Sequence, residues 1–238
     1  VASGDTRALA AAANQWRLQG TNLAGVKRFD DKPVVAANSW MIQLLPYVGY
    51  GQLHAQFDLT KGWHEKENLR YACEVIPAFL DPRNPNHSTK IFGKKNAIGP
   101  AFTHFAGMAG VEDSRNLVAA SLPRSDPRAG IFGYDQIARS EDITDGAANT
   151  IMLISTGKVV GAWASGGGAT IRAARAPYFD PITGFGTAGD PSSALVAMAD
   201  GSVKRISREI DPAVFRALCT THGAEKVDLS ANSGVRDE

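Results

Sequence analysis

Four carboxylates stand where a cation could be held. Asp142, Asp145, Asp190 and Asp200 fall in stretches that carry glycine or proline. Calcium prefers several oxygen ligands drawn from such loops, so calcium is the possible cofactor these residues suggest. The same residues also have a conformational reading. Asp145-Gly146 and Asp200-Gly201 are turn dipeptides, because Asp tolerates the left-handed region and Gly enters it without steric cost. Asn149 and Thr150 are placed to hydrogen-bond the first of these turns.

A second group joins planar donors to aromatic rings. Arg172 and Arg175 lie near Trp163, Tyr178 and Phe179 in the chain. Rings that stack and guanidiniums that fork suit the faces of sugars, or an anion. The other reading makes Trp163 a core residue and leaves the two arginines solvated.

Signals for catalysis are weaker. Gly184 to Gly189 match G-x-G-x-x-G, but Pro181 precedes them and Asp190-Pro191 follow, where a dinucleotide site needs a strand and a helix. No phosphate-binding loop, G-x-S-x-G elbow or H-E-x-x-H is present, and His64-Glu65 lacks the second histidine. His54, His64, His87, His104 and His222 show no ligand spacing. The expectation is a protein without catalytic residues. Cys73 and Cys219 both occur in helix-like contexts and are expected to be free thiols, a disulfide being the alternative.

The elements that must position these residues follow from patterning. The chain has 238 residues, 44% of them hydrophobic, enough for one domain with a sizeable core. A net charge of +1 gives no field for nucleic acid. Leu9, Ala13, Trp16, Gly20 and Leu23 recur at helical steps, predicting a helix from Thr6 to about Lys27, with Asp5 as its cap. Pro46 divides Ser39–Phe57 into two short helices, and Trp63–Cys73 reads as another. Asp81 to Asn86 is a loop. Beyond Phe92 glycine is frequent, and strands are predicted at Ala101–Phe105, Gly130–Gly133, Thr150–Thr156 and Ala169–Ala173. Asn116–Ala129 reads as a surface loop. Gly166-Gly167-Gly168 and Asp180–Pro191 read as Gly/Pro loops.

Ala194 to Ser207, A-L-V-A-M-A-D-G-S-V-K-R-I-S, is the strongest local signal. Asp-Gly between strand-like runs predicts a two-residue type I′ hairpin, with positive φ at Asp200 and Gly201. Met198 would then face Val203, and Leu195 would face Ile206. The first strand is apolar on both faces and belongs inside a sheet. A helix follows, capped by Asp211, started by Pro212 and closed by Gly223. Helices first, then strands, then a closing helix indicate an α+β fold with an antiparallel or mixed sheet.

A-D-G-S-V-K-R-I-S followed by I-D-P-A-V-F-R-A-L resembles the C-terminal end of a large planctomycete family of prepilin-like proteins. That family is catalogued as domain of unknown function 1559 and also labelled a bacterial solute-binding family. S-W-M-I-Q-L-L-P-Y (Ser39–Tyr47) is similar to its Ser-Trp then Leu-Leu-Pro-Tyr stretch. I-P-A-F-L-D-P (Ile76–Pro82) is similar to its Phe-Leu-Cys-Pro stretch, with Asp81 where Cys is usual. Gly130–Gly133 and I-T-D-G-A-A-N-T-I-M-L (Ile143–Leu153) resemble two further segments. The family pattern has His, nine intervening residues, then Asp-Gly, and here the His position is Asp190.

The resemblance implies a single pilin- or pseudopilin-like domain over 1–238. Its mainly helical part is 6–80, its strand and loop part 92–207, and its closing helix 211–222. It implies an exported, non-enzymatic subunit at the cell surface, in the periplasm or outside the cell, assembling with itself or related pilin-like subunits. Membrane contact would come only through an N-terminal segment absent from this chain. The alternative is an extracellular module for a solute or polysaccharide, with Trp163, Arg172, Arg175 and Tyr178 at the ligand.

Overall fold

Trp16, on the first helix, packs with Trp40 and Phe132, ring centroids lying 4.8 to 6.3 Å apart. Around these rings the computed structural model describes residues 6–18, 38–84, 99–113, 118–134, 136–157, 161–180, 184–187, 190–223, 227 and 234–238. The helices are α1 (Thr6–Leu18), α2 (Trp40–Leu44), α3 (Gly51–His54), α4 (Lys66–Ala72) and α5 (Pro212–Leu218). The strands are β1 (Phe102–Thr103), β2 (Phe105–Val111), β3 (Phe132–Gly133), β4 (Gln136–Ile137) and β5 (Ile151–Ser155). They continue with β6 (Gly161–Ala162), β7 (Ile171–Ala174), β8 (Ser193–Met198), β9 (Val203–Ser207) and β10 (Val235–Asp237).

Six strands form one mixed sheet in the order β10-β9-β8-β5-β2-β7. Every neighbouring pair is antiparallel except β2 and β7, which run parallel. This is the α+β architecture expected. β8 lies inside the sheet, as its unbroken apolar run requires. Leu195, Ala197 and Ala199 join the core that holds Trp16, Trp40 and Phe132, while Ala194, Val196 and Met198 join the core under Phe215 and Leu218 of α5. Side chains alternate across a strand, so a strand covered on both faces must be apolar throughout.

The helix stripe holds over α1. Leu9, Ala13 and Trp16 are buried, and Trp16 is 1% exposed. Asp5 and the predicted extension to Lys27, with Leu23, lie outside the described residues. Arg17 fastens the end of α1 to the β8–β9 turn: it donates to the Ala199 carbonyl and to Asn14 Oδ1, both at 3.1 Å. A cation suits the last turn of a helix, where unpaired carbonyls carry partial negative charge.

The hairpin differs from expectation by one residue. Ala197 faces Val203 and Ala194 faces Ile206, so the turn is a three-residue loop, Ala199 to Gly201. Gly201 N–H donates to the Met198 carbonyl at 2.9 Å, and Gly201 holds φ at +89°. This is a turn followed by a left-handed glycine, the next commonest hairpin after the two-residue forms. Asp200 accepts from Ser202 N–H and Oγ at 2.8 and 2.7 Å. That local bond fixes the longer loop, and a dipeptide signal alone does not reveal it.

Other boundaries moved for identifiable reasons. Ser39–Phe57 does hold two short helices, α2 and α3, but Pro46 lies in the first turn of a 3₁₀ segment, Leu45–Val48, that continues α2. The run from Phe105 extends to Val111, well past the predicted end. Gly107 and Gly110 weaken its strand signal, yet a Cβ at Gly107 would lie 2.6 Å from the Phe132 ring, so the absent side chain admits the ring. Of the predicted surface loop at 116–129, the described part, 118–129, is not simply surface, because Ala119, Ala120 and Leu122 are buried around a 3₁₀ turn, Ala119–Ser121. Asp211 caps α5 through Ala213 N–H at 2.7 Å, as expected. Gly223 does not close it: Cys219 is the cap, and Gly223 N–H donates to Asp145 Oδ2 at 2.7 Å. β10 follows α5, an added strand that no sequence pattern announced.

Candidate functional site

The Ser39-Trp40 pair anchors the start of β7, the edge strand beside which a cleft opens. Ser39 Oγ accepts from Met41 N–H and so starts α2, and it donates to Thr170 Oγ1 at 3.1 Å. Trp40 Nε1 donates to the Thr170 carbonyl at 2.9 Å, and Gly107 N–H reaches the same carbonyl at 2.8 Å. Thr170 is thereby fixed, and β7 begins at the next residue. Its parallel pairing with β2 sets Arg172 opposite Met108 and Ala174 opposite Val111.

The cleft has a volume of about 450 Å³, in the range of small-molecule sites. Arg172, Arg175 and Tyr178 line it together, and Glu112 and Tyr134 are among the other lining residues. Arg175 pairs with Glu112 Oε2 at 2.5 Å, and Glu112 Oε1 accepts from Ala119 N–H at 3.1 Å. Arg172 Nε donates to the Gly168 carbonyl at 3.1 Å, and burial lowers the pKa of this guanidinium. Burial, with the Glu112 charge, raises the Tyr134 phenol. Tyr178 packs on Phe215 with centroids 5.0 Å apart, and its hydroxyl accepts from Arg216 at 3.4 Å. Ala109, Ile171, Ala173 and Phe185 contribute an apolar floor. Planar cations, phenols, one carboxylate and an apolar floor can hold a polar ligand by forked hydrogen bonds and ring contact.

Trp163 does not belong to this cleft. It is fully buried, packed on Phe57 and Phe79, and its Nε1 donates to the Glu74 carbonyl at 2.9 Å. A buried indole whose N–H has a backbone partner is a core residue. Glu112 and Tyr134 were not legible as site residues. Glu112 follows β2, whose glycines obscure its length in the sequence, and Tyr134 is brought in by the β3–β4 hairpin.

The four candidate metal ligands stay apart in function. Asp142 accepts from Arg139 N–H at 2.7 Å. Asp145 holds Gly223, while Asn149 and Thr150 close the turn onto the Asp145 and Gly146 carbonyls, as expected. Asp200 holds Ser202. Asp190 accepts from Ser192 N–H and Oγ and from Ser193 Oγ. Among the described residues, no three His, Cys, Asp or Glu side chains form a group that could hold a metal ion. His87, Ala188 and Gly189 lie outside the described residues. Cys73 and Cys219 are free thiols.

Asp190 belongs instead to an ionic cluster. Arg205 reaches it at 3.3 Å and Arg83 at 3.9 Å, while Arg83 also meets the buried Asp81 at 3.3 Å. The hydroxyls of Ser192 and Ser193, then Arg83, hold the Asp190 carboxyl down at about 2. Asp81 and Asp190 are the two positions at which the sequence departs from the family pattern quoted above, and Arg83 bridges them.

Fold and site define a class: an α+β domain with a helix on each face of a mixed sheet and a ligand-sized polar cleft at one edge. Within that class, a family model described as "Protein of unknown function (DUF1559)" matches residues 11–179, and the chain belongs to that family. The match includes the cleft-forming β2 and β7 and ends before the β8–β9 hairpin. No curated protein and no solved structure matches the chain.

Proposed function

We propose that this protein is a non-enzymatic, exported subunit of pilin-like build that works at the cell surface or in the periplasm. It would act by assembling with copies of itself or with related subunits. The observation that carries the reading is the seating of α1. The helix that begins the described chain lies on the sheet through Leu9, Ala13 and Trp16 and is locked to the β8–β9 turn by Arg17. A helix fixed in this way can carry a sheet domain as a rigid head. The test is expression of the full precursor in its native host, followed by crosslinking and electron microscopy. Higher-order species that contain the protein support the reading. A protein that stays monomeric and unassociated at the cell surface overturns it.

A second reading is a binding module for an extracellular solute or polysaccharide. The specific observation in its favour is that three of the predicted ligand residues, Arg172, Arg175 and Tyr178, line one cleft. Saturable binding of a glycan by the isolated chain, lost on substitution in the cleft, is the measurement that separates it from pure assembly.

A further inference from the structure

We propose that the cleft beside β7 binds an acidic saccharide, one carboxylate-bearing sugar unit of an oligosaccharide being seated between Arg172, Arg175 and the Tyr178 ring. This rests on the binding reading and narrows it to a chemical class. Charge is the first argument. Among the described residues that line the cleft, two carry guanidiniums, Arg172 and Arg175, and one, Glu112, a carboxylate. That balance suits a singly charged ligand and disfavours a polyphosphate, whose further charges would meet Glu112.

Geometry is the second argument. Guanidiniums present a planar fork that matches a carboxylate in two parallel hydrogen bonds. Arg172 is held at its Nε by Gly168 and Arg175 by Glu112, so both are oriented before a ligand arrives. Preorganised donors lose less freedom on binding. A Cβ at Gly168 would meet nothing within 4 Å, so the backbone beside Arg172 borders open space.

The remaining surface is that of a sugar site rather than a simple anion site. The volume of about 450 Å³ exceeds the needs of a small inorganic ion. Glu112, Tyr134 and Tyr178 supply acceptors and donors for hydroxyl groups. Ile171 and Ala173 offer apolar contact to the C–H face of a ring, and the half-exposed Val118 stands at the rim. Arg216 pairs with Asp113 at 2.6 Å and reaches the Tyr178 hydroxyl, which fixes the phenol without adding net charge.

The experiment is calorimetric titration of the whole chain with tetragalacturonate and with its methyl ester, which keeps the sugar and removes the charge. Saturable binding of the acid, at least about tenfold tighter than the ester, is expected. Arg172→Gln and Arg175→Gln should each weaken the acid by about tenfold or more, a loss typical of a charge-assisted pair. Arg139→Gln, outside the cleft, should bind like the parent. Because Arg175→Gln leaves Glu112 without its partner, Tyr178→Phe provides a second probe. It keeps the packing on Phe215 and should weaken binding several-fold with an unchanged melting temperature. Equal affinity for acid and ester, with binding lost in Arg172→Gln, would overturn the anionic class while leaving the cleft a binding site. Acid binding unaffected by all three cleft variants would overturn the placement. No saturable binding of either sugar would overturn the proposal and leave the assembly reading standing.

Discussion

Asp81 and Asp190 share the guanidinium of Arg83. Asp81 is fully buried and meets Arg83 through Nε and a terminal nitrogen, at 3.3 and 3.4 Å. Asp190 lies on the other side at 3.9 Å and is partly solvated. The two carboxylates therefore depend on Arg83 unequally. A buried charge that loses its partner costs several times more than an exposed one, because it cannot be rehydrated. Arg83→Ala should destabilise the protein by about 2–4 kcal/mol, and Asp190→Asn by about 1 kcal/mol. Chemical denaturation of both variants gives the order. A larger effect at Asp190 would contradict this account of the cluster.

Acid sensitivity follows from this cluster and from the separate Asp126–Arg128 pair. Hydrogen bonds from Ser192 and Ser193 hold Asp190 at about 2, and the Arg128 side chain holds Asp126 at about 2. Both values lie below the ordinary carboxylate value of 3.8. A depressed folded value means that the unfolded chain binds protons first as pH falls. The stabilisation from these groups is thus complete above about pH 4 and is lost between about 4 and 2. Melting temperatures should fall through that window, and the Asp126→Asn, Asp190→Asn double variant should show a shallower fall. An identical profile in the double variant would rule out these two residues as the cause.

The β8–β9 turn makes opposite demands on its two polar positions. Gly201 holds φ at +89°, and a Cβ there would also stand 3.2 Å from Asn14 Nδ2. Gly201→Val should cost about 1–3 kcal/mol, because a β-branched residue is strained at positive φ. Asp200→Asn should be nearly neutral, since the Asn carbonyl can still accept from Ser202. Thermal melts with and without calcium test both points. A calcium-dependent rise that Asp200→Asn abolishes would make Asp200 a metal ligand instead of a turn residue.

The two thiols should differ in reactivity. Cys219 is fully buried in the core under α5, and burial pushes its thiol up. Cys73 is half-buried, donates to the Leu69 carbonyl at 3.2 Å, and is also pushed up by burial. The thiolate is the reactive form, so both should be sluggish at about pH 8. Cys73 should react slowly with a thiol reagent in the native protein, and Cys219 only after unfolding. Mass spectrometry of the labelled peptides decides it, and rapid native labelling of Cys219 would contradict the burial.

What the amino-acid sequence determined by itself was local and periodic. The stripe Leu9, Ala13, Trp16 specified an amphipathic helix, since one face must leave water. The unbroken run Ala194 to Ala199 specified a strand covered on both faces. Asp211-Pro212 marked the start of α5. Each of these signals is carried by residues close together in the chain.

Tertiary structure decided everything that depends on a distant partner. Gly107 reads as a strand breaker until the Phe132 ring is seen to need its space. Whether Trp163 faced a ligand or the core turned on Phe57, Phe79 and the Glu74 carbonyl, all remote in sequence. Arg172, Arg175 and Tyr178 were legible as a group, but Glu112 and Tyr134 joined them only through the parallel pairing of β7 with β2 and the β3–β4 hairpin. The hairpin register moved by one residue because Ser202 and Asp200 closed a longer loop. Side-chain periodicity fixes which face a residue takes, whereas partners across a sheet are chosen by the packing of the whole core, which no local window contains.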